Sequence, residues 1–347
     1  MIEEIEDDRP DELFEHYKII ADKGQQLLRI DKFLLNRIDN TSRTKIQNAA
    51  EAGSIIVNGK AVKSNYKVKP FDEVSIVLPY PPREIELIAE NIPIEILYED
   101  ADLAVVYKYA GLVVHPGYGN YSGTLVNAML YHFNELATNP SKEVLRPGLV
   151  HRLDKLTSGT MVIAKNDFAL SHLSKQFFDR TIDRRYHALV WGDVKDDEGT
   201  IIGNVGRSMK DRKVMAVYPE GSEEGKHAVT HYKVLERFTY VTLVECKLET
   251  GRTHQIRVHF KHIGHPLFND PEYGGDKILK GVNFAKYKQF VENCFGMIPG
   301  QALHAKTLAF KHPVTGTFLN FSADLPEGFQ NIIDKWSVYS THLNKEI

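Results

Sequence analysis

The feature that most constrains this chain is a polar stretch, His151-Arg152-Leu153-Asp154-Lys155-Leu156-Thr157-Ser158-Gly159, set between Leu149-Val150 and Met161-Val162-Ile163-Ala164. Apolar runs bounded by turn residues read as strand, tight loop, strand. An imidazole, a guanidinium, a carboxylate and two hydroxyls thus fall on one loop carried by a sheet, where binding and catalytic groups concentrate. A solvated loop with a chance Arg–Asp pair would carry the same residue types. The apolar flanks and the tight Ser158-Gly159 exit argue instead for a carboxylate fixed in place.

Around this stretch the chain is rich in strands. They are expected at 94–98, 103–108, 184–192, 214–217, 228–235 and 240–248, the last with near-perfect alternation, and two more with a turn over 301–313. Helices are expected at 124–133 and 168–180, the second with Ala169, Leu170, Leu173, Phe177 and Phe178 as its core face. The segment 277–299 reads as a helical or irregular insertion. Strands dominate without repeated βαβ units, so the class is α+β with a mainly antiparallel mixed sheet.

A smaller module precedes it. Ile30, Phe33, Leu34 and Ile38 fall on one helical face, and a second helix runs from a cap at Thr41 or Ser42 to a stop at Gly53. Asn58-Gly59 between Ile55-Ile56-Val57 and Lys60-Ala61-Val62 is a hairpin signal. Pro79-Tyr80-Pro81-Pro82 cannot continue a strand ladder and reads as linker. The expected organisation is an acidic flexible arm 1–25, with a short helix over 12–23, a small α/β module 26–79, a linker 80–91 and a large domain 92–335.

Charge is unevenly spread. The net charge of −3 hides nine acids and three bases in residues 1–25, a balance of −6, and nine bases and five acids in residues 26–80, a balance of +4. Arg29, Lys32, Arg43, Lys45, Lys60 and Lys63 are the candidates for a face against phosphates, although scattered Lys also suits a solvated surface. No apolar run reaches the ~20 residues of a membrane span. The start lacks the order of a signal peptide. Cys246 and Cys294 are too few for a disulfide framework, so the cytoplasm is the expected compartment.

Other chemistries fit poorly. His254, His259, His262 and His265 are close in sequence, yet no Cys pair, His-Glu-x-x-His or carboxylate at ligand spacing accompanies them, so no metal is expected. Gly117, Gly119 and Gly123 lack the dinucleotide-binding spacing, and no cofactor is expected. Ser158 is not in a Gly-x-Ser-x-Gly elbow, and a hydrolase built on His151 and Asp154 lacks a water-activating partner.

Three motifs resemble those of the RluA-type pseudouridine synthases: His151-Arg152-Leu153-Asp154, Arg185-Tyr186-His187-Ala188-Leu189-Val190-Trp191-Gly192, and Thr250-Gly251-Arg252-Thr253-His254-Gln255-Ile256-Arg257. The resemblance extends across roughly residues 92–325, most of the chain. Arg29-Ile30-Asp31-Lys32-Phe33-Leu34, Ser42-Arg43, Gly53, Val57-Asn58-Gly59-Lys60 and Asp72-Glu73-Val74 resemble the small RNA-binding domain named after ribosomal small-subunit protein four. One departure is Phe71, where that family usually has Gly.

The resemblance implies an RNA pseudouridine synthase acting on a uridine flipped from its stack. Asp154 would be the catalytic residue, as nucleophile or as base. Arg152 would fill the space left by the base, with His151 beside it, although a phosphate anchor would look the same in sequence. Arg257 would pair with Asp154. Tyr186 would stack on the uracil and help remove the proton from carbon five, and Ile256 would pack under the base. Arg252 and His254 would stand behind these groups on the RNA side. Ribosomal 23S RNA is favoured over tRNA as partner, and a monomer is expected. A non-catalytic RNA-binding or ribosome-assembly protein on the same fold is the competing reading.

Overall fold

The computed structural model describes residues 14–38, 41–78, 87–116, 120–133, 136, 147–209, 211 and 214–346, in two compact units divided between residues 85 and 86. The expected Pro79–Pro82 linker and Gly117–Gly119 of the glycine-rich loop lie outside these residues.

In the first unit, β1 (Phe14–Ile20) and β2 (Leu28–Arg29) lead into α1 (Ile30–Leu35) and α2 (Arg43–Glu51), followed by β3 (Ile55–Val57), β4 (Lys60–Ala61), β5 (Lys67–Val68) and β6 (Glu73–Leu78). One sheet runs β1-β6-β3-β4, and β2 pairs with β5. Ser42 caps α2, its hydroxyl accepting from the Lys45 amide at 3.2 Å. Ile30, Phe33, Leu34, Ile46, Ile55 and Val68 form the buried core. The helix expected over 12–23 is instead β1, antiparallel to β6 with Ile20 opposite Glu73. Tyr17 and Ile20 do recur at helical spacing, but the open edge of β6 offers a row of backbone partners that a lone helix would leave unpaired.

The second unit runs β7 (Glu95–Glu99), β8 (Leu103–Lys108), α3 (Leu125–His132), β9 (Ser158–Ala164), α4 (Asp167–Phe178), β10 (Asp183–Trp191), β11 (Glu198–Arg207), β12 (Met215–Tyr218), β13 (Lys226–Arg237), β14 (Val241–Leu248), α5 (Gln255–His262), α6 (Ala285–Phe295), β15 (Leu303–Lys311), β16 (Phe318–Ser322) and α7 (Glu327–Glu346). Its sheet has the order β12-β11-β13-β14-β10-β15-β9-β8-β7, with β16 also paired to β15. Pairing is antiparallel except where β15 meets β9, His304 opposite Ser158 and Ala305 opposite Gly159. Gly159 has φ +121°, and an added Cβ there would run into the Ala305 backbone. The tight exit of the polar loop is therefore the parallel seam of the sheet.

Several local expectations change in three dimensions. Leu149-Val150 is no strand and contributes only an isolated bridge to Ile163. Phe178, expected in the core, is 86% exposed. Residues 303–311 form one strand rather than two, because β15 must reach both β10 and β9, and β16 makes the turn back. β11 gives a weak strand signal because of Gly199, Gly203 and Gly206. A Cβ at Gly199 would press on the Tyr232 ring at 2.6 Å, so the glycines allow close packing. α7 extends past the expected end at 335, and its Phe329, Ile332, Ile333 and Trp336 do recur at helical spacing. In the 277–299 insertion, α6 buries Tyr287 and Val291 against Trp191, Phe268 and Trp336.

Phe71 is left-handed, φ +66°, with its side chain 66% exposed. A bulky residue there carries backbone strain of about 1–2 kcal/mol without packing to offset it. Phe71→Gly should therefore stabilise the first unit by about 1 kcal/mol. Slower native-state hydrogen exchange of the β6 amides would show it, and faster exchange would contradict it.

Candidate active site

The loop before β9 carries Asp154 and is fixed from below. Lys108, at the end of β8, is fully buried and donates to the carbonyls of Tyr109, Leu112 and Lys155 at 3.0, 2.8 and 3.1 Å. Three N–H groups thus meet three carbonyls, one of them in the residue after Asp154. Burial pushes the Lys108 amine down to about 7, against the pull of the Asp154 charge. The Thr157 amide closes the turn onto the Asp154 carbonyl at 3.1 Å, and Gln301 donates to the Thr157 hydroxyl at 3.3 Å.

The facing wall is the turn from β14 into α5. Gln255 locks it: its carbonyl accepts from the Thr250 hydroxyl at 2.8 Å and the Arg252 amide at 3.0 Å, while its amide donates to Val229 and Thr230. His254 enters the helix in a left-handed conformation, φ 56°. One helical step on, Arg257 is 2% exposed and points its guanidinium at three carboxylates. Its Nε and Nη2 hold Asp270 at 2.7 and 2.8 Å, Nη2 also meets Glu272, and Nη1 reaches Asp154 Oδ2 at 3.3 Å. Burial alone would disfavour its charge, but Asp270 foremost holds the Arg257 pKa far above the usual value.

His254 fills the gap between acids, with Nε2 3.9 Å from Asp154 Oδ1 and Nδ1 3.0 Å from the Tyr273 hydroxyl. The Met215 amide donates to that same hydroxyl at 3.0 Å, so one phenol oxygen joins an amide to the imidazole. Burial lowers the His254 pKa, with Asp154 pulling the other way. Tyr186 comes from β10, 7% exposed. Burial raises its pKa, with Arg184 opposing and Asp154 reinforcing, so it stays a phenol.

These groups line a cavity of about 480 Å³ that also takes in His151, Arg152, Phe177, Arg184, Arg252 and Ile256. Asp154, Tyr186 and Arg257 therefore converge, and Arg152 is exposed at the cavity. His151 does not present a free imidazole: its Nε2 accepts from the Val162 amide at 3.1 Å, its ring stacks on Phe177 at 4.7 Å, and burial pushes its pKa down to about 3. Arg252 donates to the His227 carbonyl at 3.1 Å. Lys108, Asp270, Glu272 and Tyr273 were not expected. A Lys ending the apolar run of β8 was a signal, whereas nothing in the spacing links Asp270 to Arg257.

The four clustered histidines do not converge. His259 is buried beside Thr230 at 3.0 Å, and His265 meets the Trp191 carbonyl at 2.7 Å. Among the described residues Asp100, Asp102 and His312 stand close enough to hold a metal. Asp100 is already engaged by the Tyr98 hydroxyl, two backbone amides and His312, which makes it a turn lock.

In the first unit, Arg29 and Arg43 meet at Asp31. Arg29 is bidentate at 3.1 and 2.9 Å, Arg43 Nε binds at 2.9 Å and Gln47 at 3.2 Å. Burial pushes the Asp31 pKa up, but the hydrogen bonds from Arg29, Arg43 and Gln47 prevail and hold it at about 2. Lys32, Lys45, Lys60 and Lys63 are exposed, without carboxylate partners among the described residues.

Comparison with known proteins is consistent across both units. The family model described as RNA pseudouridylate synthase matches residues 102–262, and that of the S4 domain matches residues 28–74. An uncharacterised RNA pseudouridine synthase of Chlorobaculum parvum is 49% identical over 90% of this chain and 95% of its own length. The ribosomal large subunit pseudouridine synthase D of Zymomonas mobilis is 40% identical over 87% of this chain and 92% of its own. Among solved structures, human RNA pseudouridylate synthase domain containing 4 aligns with a TM-score of 0.54 at 25% identity, over 70% of this chain and 93% of that one.

Two stability effects follow from this geometry. Lys108→Met leaves three carbonyls without the buried amine that joins them and should cost about 3 kcal/mol, seen as a lower melting temperature of the second unit. Asp31 contributes stability that is present above its ordinary pKa of 3.8 and lost as pH falls toward about 2. Asp31→Asn should thus destabilise the first unit by up to about 2 kcal/mol at neutral pH and flatten its acid limb. A variant with the wild-type acid profile would show that the Arg29–Asp31–Arg43 contact adds nothing.

Proposed function

This chain belongs to the RNA pseudouridine synthase family, in its RluA-type branch, and from that premise we propose that it isomerises specific uridines of 23S ribosomal RNA, with Asp154 starting the reaction. The observation that carries the proposal is convergence. A carboxylate from the loop before β9, a phenol from β10 and a guanidinium from α5 face one cavity, although they are 32 and 71 residues apart along the chain.

The reaction breaks the N1–C1′ bond, turns the freed uracil and joins C5 to C1′. The proton at C5 leaves and N1 gains one, so the change is redox-neutral. Asp154 acts as nucleophile or as base in the cleavage. Arg257 fixes one of its oxygens and leaves the other toward His254 and the cavity. Tyr186 offers a ring for the uracil to stack on and an oxygen for the C5 proton. Arg152 fills the gap left in the RNA stack with a planar cation. Ile256 supports the base from below.

Ribosomal RNA is favoured because relatives in Zymomonas mobilis and Nitrosomonas europaea are named as large-subunit synthases. The first unit, which matches the S4 domain, would hold that RNA through the exposed edges of Arg29 and Arg43 with Lys32, Lys45 and Lys60. The protein would work as a monomer in the cytoplasm, without cofactor or metal. No helix among the described residues is long and apolar enough to cross a membrane.

Tritium release from 23S rRNA transcripts labelled at carbon five of uridine tests the proposal. Wild type should release tritium equally with and without EDTA, and Asp154→Asn should release none while binding RNA within a few fold of wild type. Turnover by the Asn variant would remove Asp154 from its role. Release from tRNA alone would reassign the substrate. Deleting residues 1–80 should weaken binding to long RNA and flatten its salt dependence.

A further inference from the structure

We propose that Arg184 is an anion-binding residue of the Asp154 cavity and takes a backbone phosphate of the RNA strand beside the target uridine. The inference rests on the synthase reading above and adds a group that reading leaves unused.

Arg184 lies two residues before Tyr186 on β10, on the same face of the strand, and both line the cavity. Its guanidinium sits over the Phe177 ring at 5.2 Å. Gly251 is also close, an added Cβ there lying 3.1 Å from Arg184 Nη1. The cation thus borders both an aromatic face and a bare backbone.

Nothing among the described residues balances it. The adjacent Arg185, on the opposite face of β10, holds Glu245 at 2.7 Å and Asp183 at 3.1 Å. Asp183 also meets Lys247 at 3.2 Å, Glu249 pairs with His231 at 2.7 Å, and Asp154 is held by Arg257. Arg184 makes no ion pair with any described carboxylate, and its buried Nε has no hydrogen-bond partner. The nearby His151 imidazole is neutral, since burial and the Arg184 charge both oppose its protonation.

An arginine held in a cavity without an acid is unfavourable in the free protein, because part of its hydration is lost and nothing replaces it. A ligand oxyanion would restore both charge balance and hydrogen bonds. A planar forked guanidinium suits a phosphate, and an RNA strand entering the cavity presents one at each nucleotide. Arg152 and Arg252 line the same cavity, so the field there favours a polyanion.

The test compares wild type, Arg184→Gln and Arg184→Lys on unlabelled and tritiated 23S rRNA transcripts, by filter binding and tritium release between about 50 and 200 mM KCl. Arg184→Gln should raise KM about tenfold, with a smaller loss of kcat, and reduce the slope of log Kd against log salt by about 0.7, one phosphate contact. Arg184→Lys should restore the slope and part of the KM. An unchanged slope and KM in the Gln variant would overturn the assignment. So would a fall in kcat alone with a shifted pH profile, which would mean that Arg184 works through Tyr186. If the Gln variant melts early, Arg184→Met, which fills the same space without charge, gives the same reading. The binding arm needs no turnover, so absence of tritium release from wild type would sink the synthase reading and leave the salt slope to judge Arg184.

Discussion

The two-point contact between Arg257 and Asp270, side chains 3% and 0% exposed, is the interaction on which the cavity rests. A guanidinium this deep is tolerable only with its donors occupied, and losing one partner of such a pair costs about 3–5 kcal/mol. Asp270 takes two of its N–H groups in a fixed fork, which aims the remaining edge at Asp154 and Glu272. Asp270 also accepts from the Glu272 and Tyr273 amides, so one carboxylate fixes both the arginine and the loop that supplies its other partners. Tyr273 in turn anchors His254. The position of the Asp154 carboxylate is therefore inherited from a buried ion pair on the far side of the site.

From the other direction, the loop of Asp154 is held by main-chain chemistry. Lys108 ties the Lys155 carbonyl to the turn after β8, and Gly159 lets β9 run against β15 as the parallel step in an otherwise antiparallel sheet. Holding the loop by its backbone leaves the side chains of Arg152 and Asp154 available to the cavity. The same division appears on β10, which alternates Arg184 and Tyr186 toward the cavity with Arg185 toward a surface ion-pair cluster.

The charge of the cavity near neutral pH is set by arginines and acids. Burial holds His151 at about 3 and also lowers His254, so the imidazoles lining the cavity are neutral hydrogen-bonding groups across the physiological range. Lys108, behind the Asp154 loop, is the exception, since burial brings its amine down to about 7 beside the Asp154 charge.

The sequence by itself determined the local elements: Ser42 and Gly53 bounding α2, the Asn58-Gly59 hairpin, the alternation of β14, and the class of a mainly antiparallel α+β chain with a small basic module before it. It also carried the three motifs that hold Asp154, Tyr186 and Arg257, by which the chain resembles its family. Only the tertiary structure decided where those groups meet. Asp270 reaches Arg257 through a loop with no periodic signal, β1 is a strand because β6 has an open edge, and β11 is one although its glycines weaken the local preference. Phe178 is on the surface and Arg184 is without an acid among the described residues for the same reason. Helical spacing and charge pattern are properties of neighbours along the chain, whereas burial and ion pairing depend on which distant segment the sheet brings alongside.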